Sequence, residues 1–88
     1  MDVATQAQLE IDLRLLQVTC EAAPTQIEGV VLDRLVYFRE RWGHWTLSVA
    51  DNSYRIGAKQ IAEGTCPEFM STSLAMDLTR TLTRIHFS

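Results

Sequence analysis

Eighty-eight residues, 47% apolar and 22% charged with a formal charge of −3, amount to one small domain with no room for a second core. The longest unbroken apolar run, residues 35–38, falls far short of the roughly twenty residues a membrane-spanning helix needs, and the start Met1-Asp2-Val3-Ala4-Thr5 lacks the basic and apolar regions of a secretory signal. No membrane association is expected and the cytoplasm is the default compartment; Cys20 and Cys66 are too far apart to suggest a zinc signature and too few for a disulfide framework.

Charge is unevenly spread. Residues 1–33 carry −5, residues 34–59 carry +3 from Arg34, Arg39, Arg41, Arg55 and Lys59 against Glu40 and Asp51, and residues 60–88 carry −1. The chain is acidic with a basic middle. Three places match the capping-box pattern, in which a Thr caps an early helical N–H and a Glu or Gln three residues on reaches back: Thr5…Gln8, Thr25…Glu28 and Thr65…Glu68. With Pro24 before the second and Pro67 inside the third, three helices is the economical expectation.

Segment 5–22 supports two readings. As a helix it carries two apolar stripes, Leu9-Leu13-Leu16-Cys20 and Ile11-Leu15-Val18-Ala22, on opposite faces. As a strand, Leu9, Ile11, Leu13 and Leu15 alternate with Glu10, Asp12 and Arg14, and a bulge at Leu15-Leu16 brings Val18 and Cys20 to the same face. The Gln, Ala, Leu and Glu content favours the helix. Its second stripe then exceeds what the rest of the chain buries, which points to a protein partner or a second copy of the chain.

Segment 25–42 places Ile27, Val31, Leu35, Phe38 and Trp42 at helical spacing, with Gly43 as the stop. Next comes a hairpin signal: Trp45, Leu47 and Val49 alternate with polar residues, Asp51-Asn52-Ser53 supply turn chemistry, and Tyr54-Arg55-Ile56 return. The stretch from Gly57 to Gly64 reads equally as a short third strand or a turn. The last predicted helix, from residue 67 to about 84, buries Met70, Leu74, Leu78, Leu82 and Ile85. The expected class is therefore α+β in the order helix-helix-β-hairpin-helix, or β-α-β-β-α if the first segment is a bulged strand.

No hydrolytic, phosphoryl-transfer or dinucleotide motif occurs, and Gly29, Gly43, Gly57 and Gly64 stand singly, so no phosphate loop is expected. His44, His86, Cys20 and Cys66 lack the neighbours of a metal site, so neither cofactor nor metal is expected. Cys20 falls on an apolar stripe and reads as a core thiol. Cys66, at the start of the third predicted helix, is the one enzyme-like candidate, and it has no basic partner beside it in sequence.

The densest chemistry is the run Arg39-Glu40-Arg41-Trp42-Gly43-His44-Trp45, followed by Arg55. Arg with Trp is the composition of interface hot spots. The plainer alternative puts Trp42 at the end of a helical stripe and Trp45 facing inward, which leaves ordinary surface arginines. A second surface is the outer side of the third helix, where Thr72, Met76, Thr79 and Thr83 make an uncharged stripe. These features lead to an expectation of a non-enzymatic protein-interaction module, a regulator or inhibitor of the size of those phages use against host defences. Its contacts would come from Arg39, Arg41, Trp42, His44, Trp45, Arg55, Thr72, Met76, Thr79 and Thr83. The alternative is a nucleic-acid-binding regulator with Arg39, Arg41, Arg55 and Lys59 on phosphates, weakened by the net negative charge.

Overall fold

The computed structural model describes residues 1–20, 25–54, 57–66 and 70–88. In chain order these form α1 (Val3–Arg14), β1 (Gln17–Cys20), β2 (Thr25–Val31), β3 (Arg34–Arg41), β4 (His44–Val49), β5 (Lys59–Thr65) and α2 (Thr72–Phe87). The strands make one antiparallel meander in the order β1-β2-β3-β4-β5. The α+β class stands; the expected order of elements does not.

The largest correction is segment 25–42, which is a β-hairpin and not a helix. Its apolar spacing of four and eight residues suits a strand as well as a helix, because both numbers are multiples of two. The pairing Val31↔Arg34 then exchanges parity across the turn, so Ile27 and Val31 face inward before it and Val36 and Phe38 after it. Leu35 and Trp42, members of the supposed helical stripe, fall outside the buried set. β-Branched and aromatic residues, Ile27, Val30, Val31, Val36, Tyr37 and Phe38, suit the pleated surface.

The β2–β3 and β3–β4 turns are two-residue turns with positive φ at each central residue, the type I′ geometry that matches the twist of paired strands. They are Leu32-Asp33 (φ 48° and 66°) and Trp42-Gly43 (φ 57° and 79°). Gly43 is thus a turn residue and not a helix C-cap. The Glu40 side chain, only 5% exposed, backs the second turn by accepting the Gly43 N–H at 3.1 Å.

The first segment combines both of its readings. α1 begins earlier than the Thr5…Gln8 box implies, with Asp2 accepting the Thr5 N–H at 2.7 Å, and it ends at Arg14. β1 follows, with its irregularity between Val18 and Cys20. Leu9, Leu13 and Leu16 are buried, whereas Ile11 and Leu15 from the second stripe are exposed.

β4 forms where the alternation predicts it, with Leu47 and Val49 buried. Its hairpin partner is β5, so the undecided stretch after Gly57 is a strand; of the expected return at residues 54–56, Arg55 and Ile56 lie outside the described residues. The third predicted capping box also lies partly outside them; α2 is capped by Ser71, whose Oγ accepts the Leu74 N–H at 3.1 Å.

α2 is rotated from the expected orientation. Ala75, Thr79 and Thr83 face the sheet, while Leu74 and Ile85 are 54% and 63% exposed. Small inward side chains let the helix lie close to the strands, and Leu78 and Leu82 pack at the border. The opposite flank belongs to α1: Arg84 binds both carboxylate oxygens of Glu10, at 2.7 and 3.0 Å, and the Arg80 Nε donates to the Leu13 carbonyl at 3.0 Å. That last bond satisfies a carbonyl that the end of α1 leaves without an intrahelical partner.

Leu9, Leu13, Leu16, Met70 and Ala75 join Ile27, Val31, Val36, Phe38, Leu47 and Val49 in one core. Both helices therefore cover the same face of the sheet. The other face carries the alternate residues of each strand, among them Gln26, Tyr37, Arg39, Arg41, His44, Thr46 and Glu63, and is left to solvent as antiparallel sheets permit. Among the described residues, no helix is long and apolar enough to cross a membrane.

Candidate site on the open face of the sheet

The outer face ends, at the β3–β4 turn, in a hollow of about 410 Å³ lined by Arg39, Arg41, Trp42, His44 and Thr46. Register explains the grouping. Arg39 lies opposite Thr46 and Arg41 opposite His44, so the four make a block on one face. Trp42, at the tip of the turn, is 84% exposed. The Arg41 guanidinium carbon sits 5.8 Å from the centre of its ring, within cation–π range.

The electrostatics of the block are unbalanced. His44 Nε2 lies 3.4 Å from Glu63 Oε2, and the Gln60 amide donates to the same oxygen at 3.1 Å. Glu63 is therefore turned to its own neighbours. Among the described residues, no carboxylate lies within ion-pair distance of Arg39 or Arg41. Arg34 is committed elsewhere: its Nε donates to the Ala50 carbonyl at 2.9 Å, Asp51 lies 3.6 Å away, and its guanidinium covers the Phe87 ring.

The structure brings together four residues of the expected interface, Arg39, Arg41, Trp42 and His44, and separates the others. Trp45 points to the core face, stacked on Phe38 with ring centres 6.0 Å apart. Its ring occupies the space a Cβ at position 64 would fill, 2.5 Å from that point, so only glycine fits there. Of the two tryptophans, then, one is packed and one is presented. Arg55 lies outside the described residues. Lys59 is exposed at the start of β5, opposite Val49, at the far end of the sheet from the hollow.

The expected Thr stripe on the last helix is not an outer surface. Thr79 and Thr83 are fully buried, and Thr72 and Met76 are partly buried. The larger Leu74 and Ile85 stay outside the core, because close approach of helix and sheet favours the smaller Ala75, Thr79 and Thr83 on the inner face. Cys66 follows β5 and precedes α2 by several residues, so it is not at a helix start; Cys20 is partly buried on the short edge strand. Among the described residues, no group of three or more His, Cys, Asp and Glu is placed to hold a metal ion.

Two residues of the site were not singled out from the sequence. Thr46 is the polar member between Trp45 and Leu47, so the alternation that located β4 also places it outward. Glu63 could be found only once 59–65 is known to be a strand beside β4. Comparison of the chain with protein-family models, with curated proteins and with solved structures finds no match. Fold and site together define a small two-layer α+β domain that presents a basic and aromatic hollow on the uncovered face of its sheet.

Proposed function

We propose that this chain is a non-enzymatic protein-interaction module, a regulator or inhibitor that grips a macromolecular partner at the hollow formed by Arg39, Arg41, Trp42, His44 and Thr46. One observation carries the reading: a Trp that is 84% exposed occupies a left-handed turn position. Left-handed backbone costs a residue with a Cβ about 1–2 kcal/mol, and Asn or Gly fills such turn positions at less cost. A large aromatic kept there is poor for folding and well suited to contact, since Trp and Arg dominate interface hot spots. Of the two tryptophans expected at this contact, Trp45 is stacked on Phe38, and the proposal keeps Trp42 alone.

A second reading, nucleic-acid binding, draws on Arg39 and Arg41. Against it, Lys59 is at the other end of the sheet and Arg34 is engaged with Ala50 and Asp51, so the described residues of the basic segment do not line up in one track.

The test is affinity capture from a nuclease-treated lysate with the wild-type chain and with a folded Arg41→Ala/Trp42→Ala variant. The proposal expects a protein captured by the first and lost by the second. Equal capture by both removes the hollow as the contact, and capture that vanishes only on nuclease treatment favours the second reading.

A further inference from the structure

We infer that the hollow recognises a short acidic stretch of its partner: carboxylates taken by Arg39 and Arg41, with an apolar residue beside them laid on Trp42. This rests on the reading of the hollow as a protein contact and adds the chemistry of what fills it. Arg39 and Arg41 are two residues apart on one strand, so their side chains leave the sheet on the same side about 7 Å apart. An extended peptide repeats its own side chains at the same interval. Acidic residues at alternate positions of such a segment therefore match the two guanidinium groups one to one.

The two arginines are ready for this use. Neither has a carboxylate within ion-pair distance among the described residues, so no existing pair must be broken. The Arg41 guanidinium lies over the Trp42 ring with its carbon 5.8 Å from the ring centre, which places an arginine fork able to take a carboxylate bidentately next to an aromatic surface. The rest of the Trp42 ring is the apolar surface next to that contact.

The surroundings favour a short acidic peptide over a polyanion. Glu63 lies opposite Thr46 on β5. A phosphate chain extending beyond the two arginines toward β5 meets this carboxylate. The molecule as a whole carries −3, which opposes any long anion.

The experiment titrates the full chain with fluorophore-labelled short capped peptides. One carries Glu at two alternate positions followed by Leu, and the others replace Glu by Gln or by Lys. A labelled thymidine oligonucleotide is titrated in parallel, and lysate capture by wild type and Trp42→Ala is run alongside. The expected result is that the Glu peptide alone binds, that it weakens about tenfold with Arg39→Ala or Arg41→Ala, and that it perturbs tryptophan fluorescence in the wild type but not in Trp42→Phe. Binding of the Gln peptide as tightly as the Glu peptide, absence of peptide binding, or tighter binding of the oligonucleotide overturns the inference. If capture still depends on Trp42 while no acidic peptide binds, only the chemistry assigned to the hollow fails. If capture is indifferent to Trp42, the contact reading fails with it.

Discussion

Asp12 on α1 accepts the backbone N–H of Leu32 through its Oδ2 at 3.0 Å, a bond between residues twenty apart that ties the first helix to the β2–β3 turn. Leu32 and Asp33 both adopt positive φ without being Asn or Gly, so this turn draws support from outside itself. Asp12→Ala is expected to lower stability by about 1.5–3 kcal/mol, the usual range for a hydrogen bond to a charged group. Asp33→Gly, which accepts positive φ freely, is expected to leave stability unchanged or raise it. Urea denaturation of the two variants checks both; an Asp12→Ala protein as stable as wild type shows that the turn stands alone.

The same bond explains why the β2–β3 hairpin was hard to read. A turn written Asn-Gly or Asp-Gly would have divided segment 25–42 into two strands, but Leu32-Asp33 carries no local signal and its anchor lies twenty positions away. The stripe Ile27, Val31, Leu35, Phe38 then invites a helix: the first three lie at spacings of four and eight, which satisfy both periods, and Phe38 at eleven fits the helical one. β4 was readable because Trp45, Leu47 and Val49 alternate strictly. Of the residues lining the hollow, Arg39, Arg41, Trp42 and His44 stand out in the sequence by composition alone. The alternation that located β4 also turns Trp45 inward with Leu47 and Val49; Trp42 was not legible as a presented residue because its turn reads as the end of a helix.

Thr83 is buried on α2, and its hydroxyl has no hydrogen-bond partner among the described residues, whereas the Thr79 hydroxyl donates to the Ala75 carbonyl at 2.7 Å. A buried polar group left unpaired costs about 1–3 kcal/mol. Thr83→Val keeps the shape and removes that cost, so its thermal midpoint is expected to rise. Thr79→Val gives up a satisfied bond and is expected to be neutral or slightly destabilising. A Thr83→Val protein less stable than wild type would show that the hydroxyl has a partner in solution.

Hydrogen bonding from Arg84 holds the Glu10 carboxyl below the usual glutamate range against an opposing desolvation, with the charges of Arg84 and Arg14 adding to the lowering. Because the folded-state pKa is depressed, the stabilisation is present above the unfolded-state pKa and is lost as pH falls through the folded one. At neutral pH the wild type is expected to be more stable than Glu10→Gln, and the gap is expected to close in acid. The pair is substantially exposed, so added salt also narrows the gap. Urea midpoints at neutral and acid pH measure it; a gap that persists or widens in acid contradicts the assignment.

Gly64 lies beneath the Trp45 ring, with no space for a Cβ. Gly64→Ala is expected to cost about 1–3 kcal/mol by overpacking, and Trp45→Phe in the same chain is expected to recover part of that loss. A Gly64→Ala protein as stable as wild type means that β5 can shift away from the ring.

Trp42→Asn tests the central claim most directly. The substitution leaves an Asn-Gly type I′ turn, relieves the left-handed strain of a bulky residue and removes the exposed aromatic from the hollow. Its two readouts are unfolding by urea and capture of a protein partner from nuclease-treated lysate. If Trp42 is kept for contact, the variant is at least as stable as the wild type and captures no partner. A variant that loses stability, or one that captures the same partner undiminished, contradicts the account.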